Sequence, residues 1–239
     1  MSETIATSTV EPSTPQMSTT RGDGEAPAYG FSPSIVTLLS EGSPQADAIR
    51  SLRTHIMARH LHLGRRALAI CAPSSGVGCS FVAANLAVSL SQIGVKTLLI
   101  DGDLRRPAID QLIRPPRPPG GLVQALKSAD VTFKASIDAD VLPNLSIMYA
   151  GRAASNPQEL LATERFQTLM NHCLREFDAT IVDTPPANTS SDARRISGVV
   201  GYSLVVTAKD KTFIKDVKTL IGQLRADRSV VIGTLMNRA

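Results

Sequence analysis

Apolar positions along the chain follow two rhythms. One is short and continuous: A-L-A-I-C-A at 67–72, V-K-T-L-L-I-D at 95–101, L-S-I-M-Y at 145–149, A-T-I-V-D at 179–183, Y-S-L-V-V-T at 202–207 and V-V-I-G-T-L-M at 230–236. Runs of this kind read as strands covered on both faces. The other rhythm is helical. D-A-I-R-S-L-R-T-H-I-M-A-R places Ile49, Leu52 and Ile56 on one face, and 80–93 has helical spacing that stops at Gly94. Residues 157–177 read as one long helix with Pro157 in its first turn, where Pro is tolerated, and 215–226 as another. Strands alternating with helices predict an α/β fold with a mostly parallel central sheet flanked by helices. Ligands then sit beyond the C-terminal ends of the strands.

Residues 1–30 lack this patterning. They are rich in Ser, Thr, Pro, Glu and Gly and read as a disordered arm. Residues 31–65 form a lead-in that holds the first helix, and 66–239 the main domain. With 239 residues, 43% of them hydrophobic, the chain can build a sizeable core. Aromatics are 4% with no Trp, which argues against base stacking on nucleic acid. A net charge of +4 suits a solvated surface or an acidic partner. Cys71, Cys79 and Cys173 are odd in number and far apart, and the His residues at 55, 60, 62 and 172 have no ligand spacing with them. Free thiols without a signal peptide point to the cytoplasm. No apolar run approaches the roughly 18 residues that span a bilayer, so a membrane role requires a partner.

Three polar motifs fall at strand ends. A-P-S-S-G-V-G-C-S-F (72–81) is a glycine-rich turn entering a helix, which aims backbone N–H groups and a helix dipole at one point. Ser75, Gly76, Val77, Gly78, Cys79, Ser80 and Phe81 are its candidate phosphate-binding residues, with the Ser80 hydroxyl placed to meet Mg²⁺. An ordinary β–α turn has the same composition. In L-L-I-D-G-D-L-R-R-P (98–107), Asp101 and Asp103 leave a strand end beside Arg105 and Arg106. Such carboxylates can hold Mg²⁺ or accept a hydroxyl proton, and Asp101, Asp103 and Arg105 are the catalytic candidates. A charged turn capping the next helix is the plainer alternative. A-T-I-V-D-T-P-P (179–186) ends an apolar strand in Asp183, a Walker B carboxylate by position. The candidate Mg²⁺ set is Ser80, Asp103 and Asp183.

The three motifs in this order resemble those of the bacterial tyrosine kinases of capsule and exopolysaccharide synthesis (BY-kinases), P-loop proteins of the deviant Walker A, MinD/ParA-like class. L-L-I-D-G-D-L-R-R-P resembles the family's Walker A′ motif. G-G-L-V-Q-A-L (120–126), A-G-R-A-A-S-N-P-Q-E-L-L (150–161) and S-D-A-R (191–194) resemble family segments in the same order. D-A-I-R-S-L-R resembles the oligomerisation signature E-x-x-R-x-x-R, with Asp47 for Glu and with Arg50 and Arg53 kept. The resemblance implies ATP/ADP and Mg²⁺ as cofactors and a homo-oligomer. It also implies docking on a membrane polysaccharide co-polymerase (Wzz-like), peripheral to the inner membrane, with no nucleic acid partner.

Two departures temper the implied kinase activity. Cys79 stands where the family carries the phosphate-loop Lys, Pro73 replaces the loop's leading Gly, and Ser74 stands where the partition ATPases carry a signature Lys. The family's tyrosine cluster should follow the last strand, but the sequence ends at Asn237-Arg238-Ala239. Of Tyr29, Tyr149 and Tyr202, the last two read as core and Tyr29 as the accessible acceptor. The expectation is a nucleotide-binding regulator with weak or absent autokinase activity. A nucleotide-free scaffold and a partition-type ATPase are the alternatives. A lowered Cys79 pKa at the helix N-terminus would further allow a redox gate.

Overall fold

The computed structural model describes residues 28–128, 130–152 and 154–237. Apart from Ala28 to Gly30, the arm expected over 1–30 lies outside the described residues. In chain order the elements are β1 (Gly30–Phe31), α1 (Val36–Leu39), α2 (Pro44–Arg59), β2 (Ala67–Cys71), α3 (Cys79–Ser91), β3 (Thr97–Asp101), α4 (Ile109–Leu112) and β4 (Ile113–Arg114). Then come α5 (Leu122–Lys127), β5 (Asp138–Leu142), β6 (Leu145–Met148), α6 (Pro157–Ala162), α7 (Glu164–Glu176) and β7 (Ala179–Asp183). The chain closes with α8 (Asp192–Val200), β8 (Tyr202–Ala208), α9 (Ile214–Ala226) and β9 (Val230–Asn237).

Seven strands form one sheet in the order β5-β6-β3-β7-β2-β8-β9, parallel except for β5 at one edge. Strands β2, β3 and β7 are buried at every position, as their unbroken apolar sequences require. One core cluster lies between the sheet and α3, the other between the sheet and helices α5 to α9.

Helix α3 is apolar on all sides, and residues 82 to 91 are all buried. Its outer face is covered by the lead-in. Asn85 ties the two together: its Nδ2 donates to Ser34 O and Phe81 O, and its Oδ1 accepts from Thr37 N and Thr37 Oγ1. Helix α2 starts at Ser43, whose hydroxyl accepts from Ala46 N, with Pro44 following. Its end is fixed by His60, fully buried, with Nε2 2.9 Å from Ala67 O and Nδ1 without a partner.

Two expectations are corrected. The single helix over 157–177 is two, because Thr163 is extended (ψ 151°) and its hydroxyl donates to Leu160 O at 2.7 Å, ending the first helix from inside. Tyr29 is not free. It packs half-buried against the core and donates to Asp138 Oδ2 at 3.3 Å.

Asn85→Ala should cost about 2 kcal/mol, because it leaves the buried Thr37 N–H and two part-buried carbonyls without this partner. Denaturant unfolding would measure the loss, and limited proteolysis should cut more readily within residues 32–43. An unchanged midpoint and cleavage pattern would show that the lead-in is held by its apolar contacts alone.

Candidate functional site

Strands β2, β3 and β7 end together. Their register sets Asp101 opposite Asp183 and Asp183 beside Ile70. The loop from Ala72 to Gly78 rises over these ends and enters α3. Gly76 and Gly78 sit at φ 72° and 90°, the left-handed region that glycine tolerates and that turns successive N–H groups inward. A cavity of about 300 Å³ lies under the loop, lined by Ser75, Gly76, Val77, Gly78, Cys79, Ser80 and Phe81, with Asp103, Arg106, Thr184 and Pro186 opposite. All seven residues read from the sequence as phosphate-binding are therefore brought to one pocket.

The three carboxylates differ in how they are held. Asp101 is fully buried, and both its oxygens are occupied: Oδ1 accepts from Asp103 N, and Oδ2 accepts from Ala108 N and Ile109 N. Burial raises it to about 7 despite these bonds. Its visible work is to shape the loop between β3 and α4. Asp103 lines the cavity, with Oδ1 accepting from Arg105 N and Arg106 N, and burial raises it as well. Asp183 is fully buried and neither oxygen has a hydrogen-bond partner. Burial first and the Asp101 charge second push it well above the ordinary carboxylate range.

A buried carboxylate without a hydrogen-bond partner, next in sequence to Thr184 of the pocket lining and near the Ser80 hydroxyl, fits a hard divalent cation with oxygen ligands. Ser80, Asp103 and Asp183 are the residues present to hold Mg²⁺ directly or through its waters.

Cys79 is the first residue of α3, and its thiol donates to Ile70 O at 3.1 Å. Burial, then Asp183 and Cys71, push the thiol well above its usual pKa. The lowered pKa expected at a helix N-terminus is thus reversed, first by burial and then by the neighbouring Asp183. The redox gate loses its basis. Arg105 is also turned away from the pocket: its Nε is 2.8 Å from Asp192 Oδ2 at the start of α8, and it is Arg106 that lines the cavity. On α2, Asp47 pairs with Arg50 within the helix at 2.9 Å, and Arg53 donates to Ser89 O and Oγ on α3. All three are met within the chain.

Two contributors escaped the sequence. Asn237, the last residue of β9, donates from Nδ2 to Val77 O at 3.0 Å, and its amide fills the space a Cβ on Gly78 would need. Thr184 donates to Ile70 O at 2.8 Å, sharing that acceptor with Cys79. The signal for Thr184 was the D-T-P-P motif. For Asn237 there was none beyond its position at a parallel strand's C-terminal end.

Comparison with known proteins agrees with this architecture. The model of the CobQ/CobB/MinD/ParA nucleotide binding domain matches residues 68–238. CapB of Staphylococcus aureus, named for tyrosine-protein kinase activity, is 32% identical over 81% of this chain and 84% of its own. EpsB of Ralstonia solanacearum, named in the same way, is 31% identical over 81% of this chain, which spans only 26% of that longer protein. Among solved structures, the chimerical protein CapA2B2 superposes with a TM-score of 0.79 at 30% identity, covering 87% of this chain and 91% of that one. The kinase domain of the Escherichia coli tyrosine kinase ETK gives 0.79 at 28% identity, over 86% and 80%. MinD of Pyrococcus furiosus, at 21% identity and a TM-score of 0.56, shares the fold. With its strand-end carboxylates, its glycine loop and these relatives, the chain belongs to the bacterial tyrosine-kinase family within the CobQ/CobB/MinD/ParA nucleotide-binding class.

Proposed function

We propose that the chain binds ATP or ADP with Mg²⁺ in the pocket beneath 72–81 and acts as a nucleotide-dependent regulator of exopolysaccharide or capsule polymerisation and export. Its own tyrosine phosphorylation would be weak or absent. The observation that carries this reading is Asp183, buried and without a hydrogen-bond partner at the strand end beneath the glycine loop, next to Thr184 of the pocket lining. In this reading the left-handed glycines present backbone N–H groups to the phosphates, and the α3 dipole adds to them. Bound Mg²⁺ supplies charge neutralisation on the phosphate oxygens. Asp101 keeps the 101–109 loop in shape so that Asp103 faces the pocket. Cys79, neutral and bonded to Ile70 O, gives no cation to the transferring phosphate. Loss of one such preorganised group commonly costs on the order of 10²–10³ in rate. Binding depends on the backbone cradle and survives; turnover depends on the missing charge and suffers. By family likeness, the regulated partner is a membrane polysaccharide co-polymerase, and Asp47, Arg50 and Arg53 lie on the face through which copies would associate. Tyr29 would have to leave Asp138 to act as a phosphate acceptor.

Calorimetric titration should give saturable, Mg²⁺-dependent binding of ATP and ADP to the folded chain. No binding would reduce the molecule to a scaffold. Cys79→Lys should raise the rate of ATP turnover by on the order of 10²-fold or more with little change in affinity. An unchanged rate would mean that the missing Lys is not what limits activity.

The carboxylates also make a stability prediction. A folded-state pKa raised above the unfolded value means stability fully present below about pH 3.8 and lost as pH rises, for Asp101 through about 7. The metal-free protein should therefore melt progressively earlier as pH rises from 4 towards 7 and beyond. Asp183→Asn should flatten that decline and melt higher than the parent at pH 8 without metal, while losing the Mg²⁺-dependent part of nucleotide binding. A variant that melts lower at pH 8 would show that Asp183 is compensated after all.

A further inference from the structure

The end of the sheet opposite the nucleotide pocket has a composition of its own. Six parallel strands begin there, and the segments entering them carry Arg59, Arg65, Arg66, Lys96, Arg175, Arg225 and Arg228. Contacts hold several of these on one surface. Arg66 Nη1 donates to Leu174 O at 3.3 Å, Lys96 stands 5.3 Å over the Phe177 ring, and Arg65 stands 5.2 Å over the Tyr202 ring. The carboxylates of the same segments are Glu176, Asp178 and Asp227, and Asp227 is already paired with Arg194. Among the described residues no ion pair neutralises any of the seven basic groups. This end is therefore strongly positive in a chain whose total is only +4.

Large apolar side chains protrude from the same end. Leu63 is 60% exposed, Ile93 47% and Val230 51%. Leu63 and Ile93 each precede a left-handed glycine, Gly64 at φ 75° and Gly94 at φ 85°, so both stand at the tips of tight turns. Singly exposed apolar residues are ordinary. Three of them among unpaired guanidinium and ammonium groups, on one end of the molecule, are a combination with a specific use. Stable attachment to a membrane surface takes two signals, apolar insertion and a basic patch, because either alone is marginal.

We propose that this end is a contact surface for an anionic lipid bilayer, with the basic side chains over the headgroups and Leu63, Ile93 and Val230 at the acyl boundary. No described helix is long and apolar enough to cross a membrane, so the contact is peripheral. The nucleotide pocket then faces away from the bilayer, open to exchange. A nucleic acid would use the positive charge but gains nothing from apolar tips, and a chain with 4% aromatics offers little for stacking.

The test is flotation of the full chain, without nucleotide, on vesicles of phosphatidylcholine alone and with added phosphatidylglycerol, at low and high salt. The chain should float with the anionic vesicles only, and less as salt rises. Each basic group near such a surface is worth about fivefold in partition, so Arg65→Glu with Arg66→Glu and Lys96→Glu should weaken binding at least about 100-fold. Leu63→Ser with Ile93→Ser should weaken it about tenfold. Arg225→Glu with Arg228→Glu, exposed at and just beyond the end of α9, gives a second charge reversal should the triple variant not fold. Lys215→Glu with Lys218→Glu, on α9 towards the opposite end, should float as the parent does. The proposal is overturned if the folded parent does not float, if it floats equally on neutral vesicles, if the reversals change nothing, or if it retains duplex DNA in place of vesicles. Because nucleotide is absent throughout, none of these results bears on the pocket.

Discussion

Asp183 is a carboxylate with no access to solvent and no hydrogen bond, and the nucleotide end of the molecule is arranged around it. The in-register pairing of β3 with β7 places a second carboxylate, Asp101, directly opposite. Charges so placed repel one another in a medium that screens poorly. Backbone N–H groups resolve the problem for Asp101 and half-resolve it for Asp103. Asp183 has no partner at hydrogen-bond geometry, the Ser80 hydroxyl and Thr184 N–H nearby only partly offset its burial, and the Cys79 thiol beside it supplies no positive charge. A proton or a divalent cation must complete the site. In the proposed function, exchange of one for the other would couple Mg²⁺ and nucleotide binding to the stability of the sheet.

The lead-in belongs to the same physical unit. Helix α3 is too apolar to face water, so α1 and α2 must cover it. Asn85 and Arg53 fasten that cover through buried or half-buried hydrogen bonds. The N-terminus of α3 holds the phosphate loop, and its middle holds the lead-in. The loop and the lead-in are thus attached to the same helix. Arg53 illustrates the cost of reading such a residue from its motif alone: its Nη1 already binds Ser89, so any contact with a second copy must come from its remaining donors or displace that bond.

The sequence made the parallel core legible because buried strands leave unbroken apolar runs, and the pocket legible because glycines and carboxylates mark strand ends. What it hid has physical reasons. D-A-D-V-L forms the antiparallel edge strand β5, yet its two acidic residues, one exposed and one half-buried against Tyr29, mask the pattern. Helix α8, D-A-R-R-I-S-G-V-V, is short and contains a glycine, so it read only as a motif. Thr163 breaks a helix with neither Pro nor Gly present, through a hydroxyl bond that spacing does not reveal. Arg105 looked catalytic from its place beside Asp103, but its partner Asp192 is 87 residues away. Tyr29 looked free because the strand that anchors its neighbour Gly30 is two residues long.

The two ends of the sheet are chemically opposed, and the opposition follows from the topology. Every parallel strand enters at one end and leaves at the other, so residues flanking the strands are sorted by which side of a strand they occupy. Asp101, Asp103 and Asp183 come at or just after strand ends; Arg65, Arg66, Lys96 and Arg228 come just before strand starts. The acidic residues are buried, and their charges are costly until a proton or a cation offsets them. The basic residues are mostly exposed and have no ion-pair partner, and their charges act outward over about a Debye length. On the two proposals made above, a multivalent cation with its nucleotide would sit at one end and an anionic surface at the other, with the thickness of the sheet keeping the two fields apart.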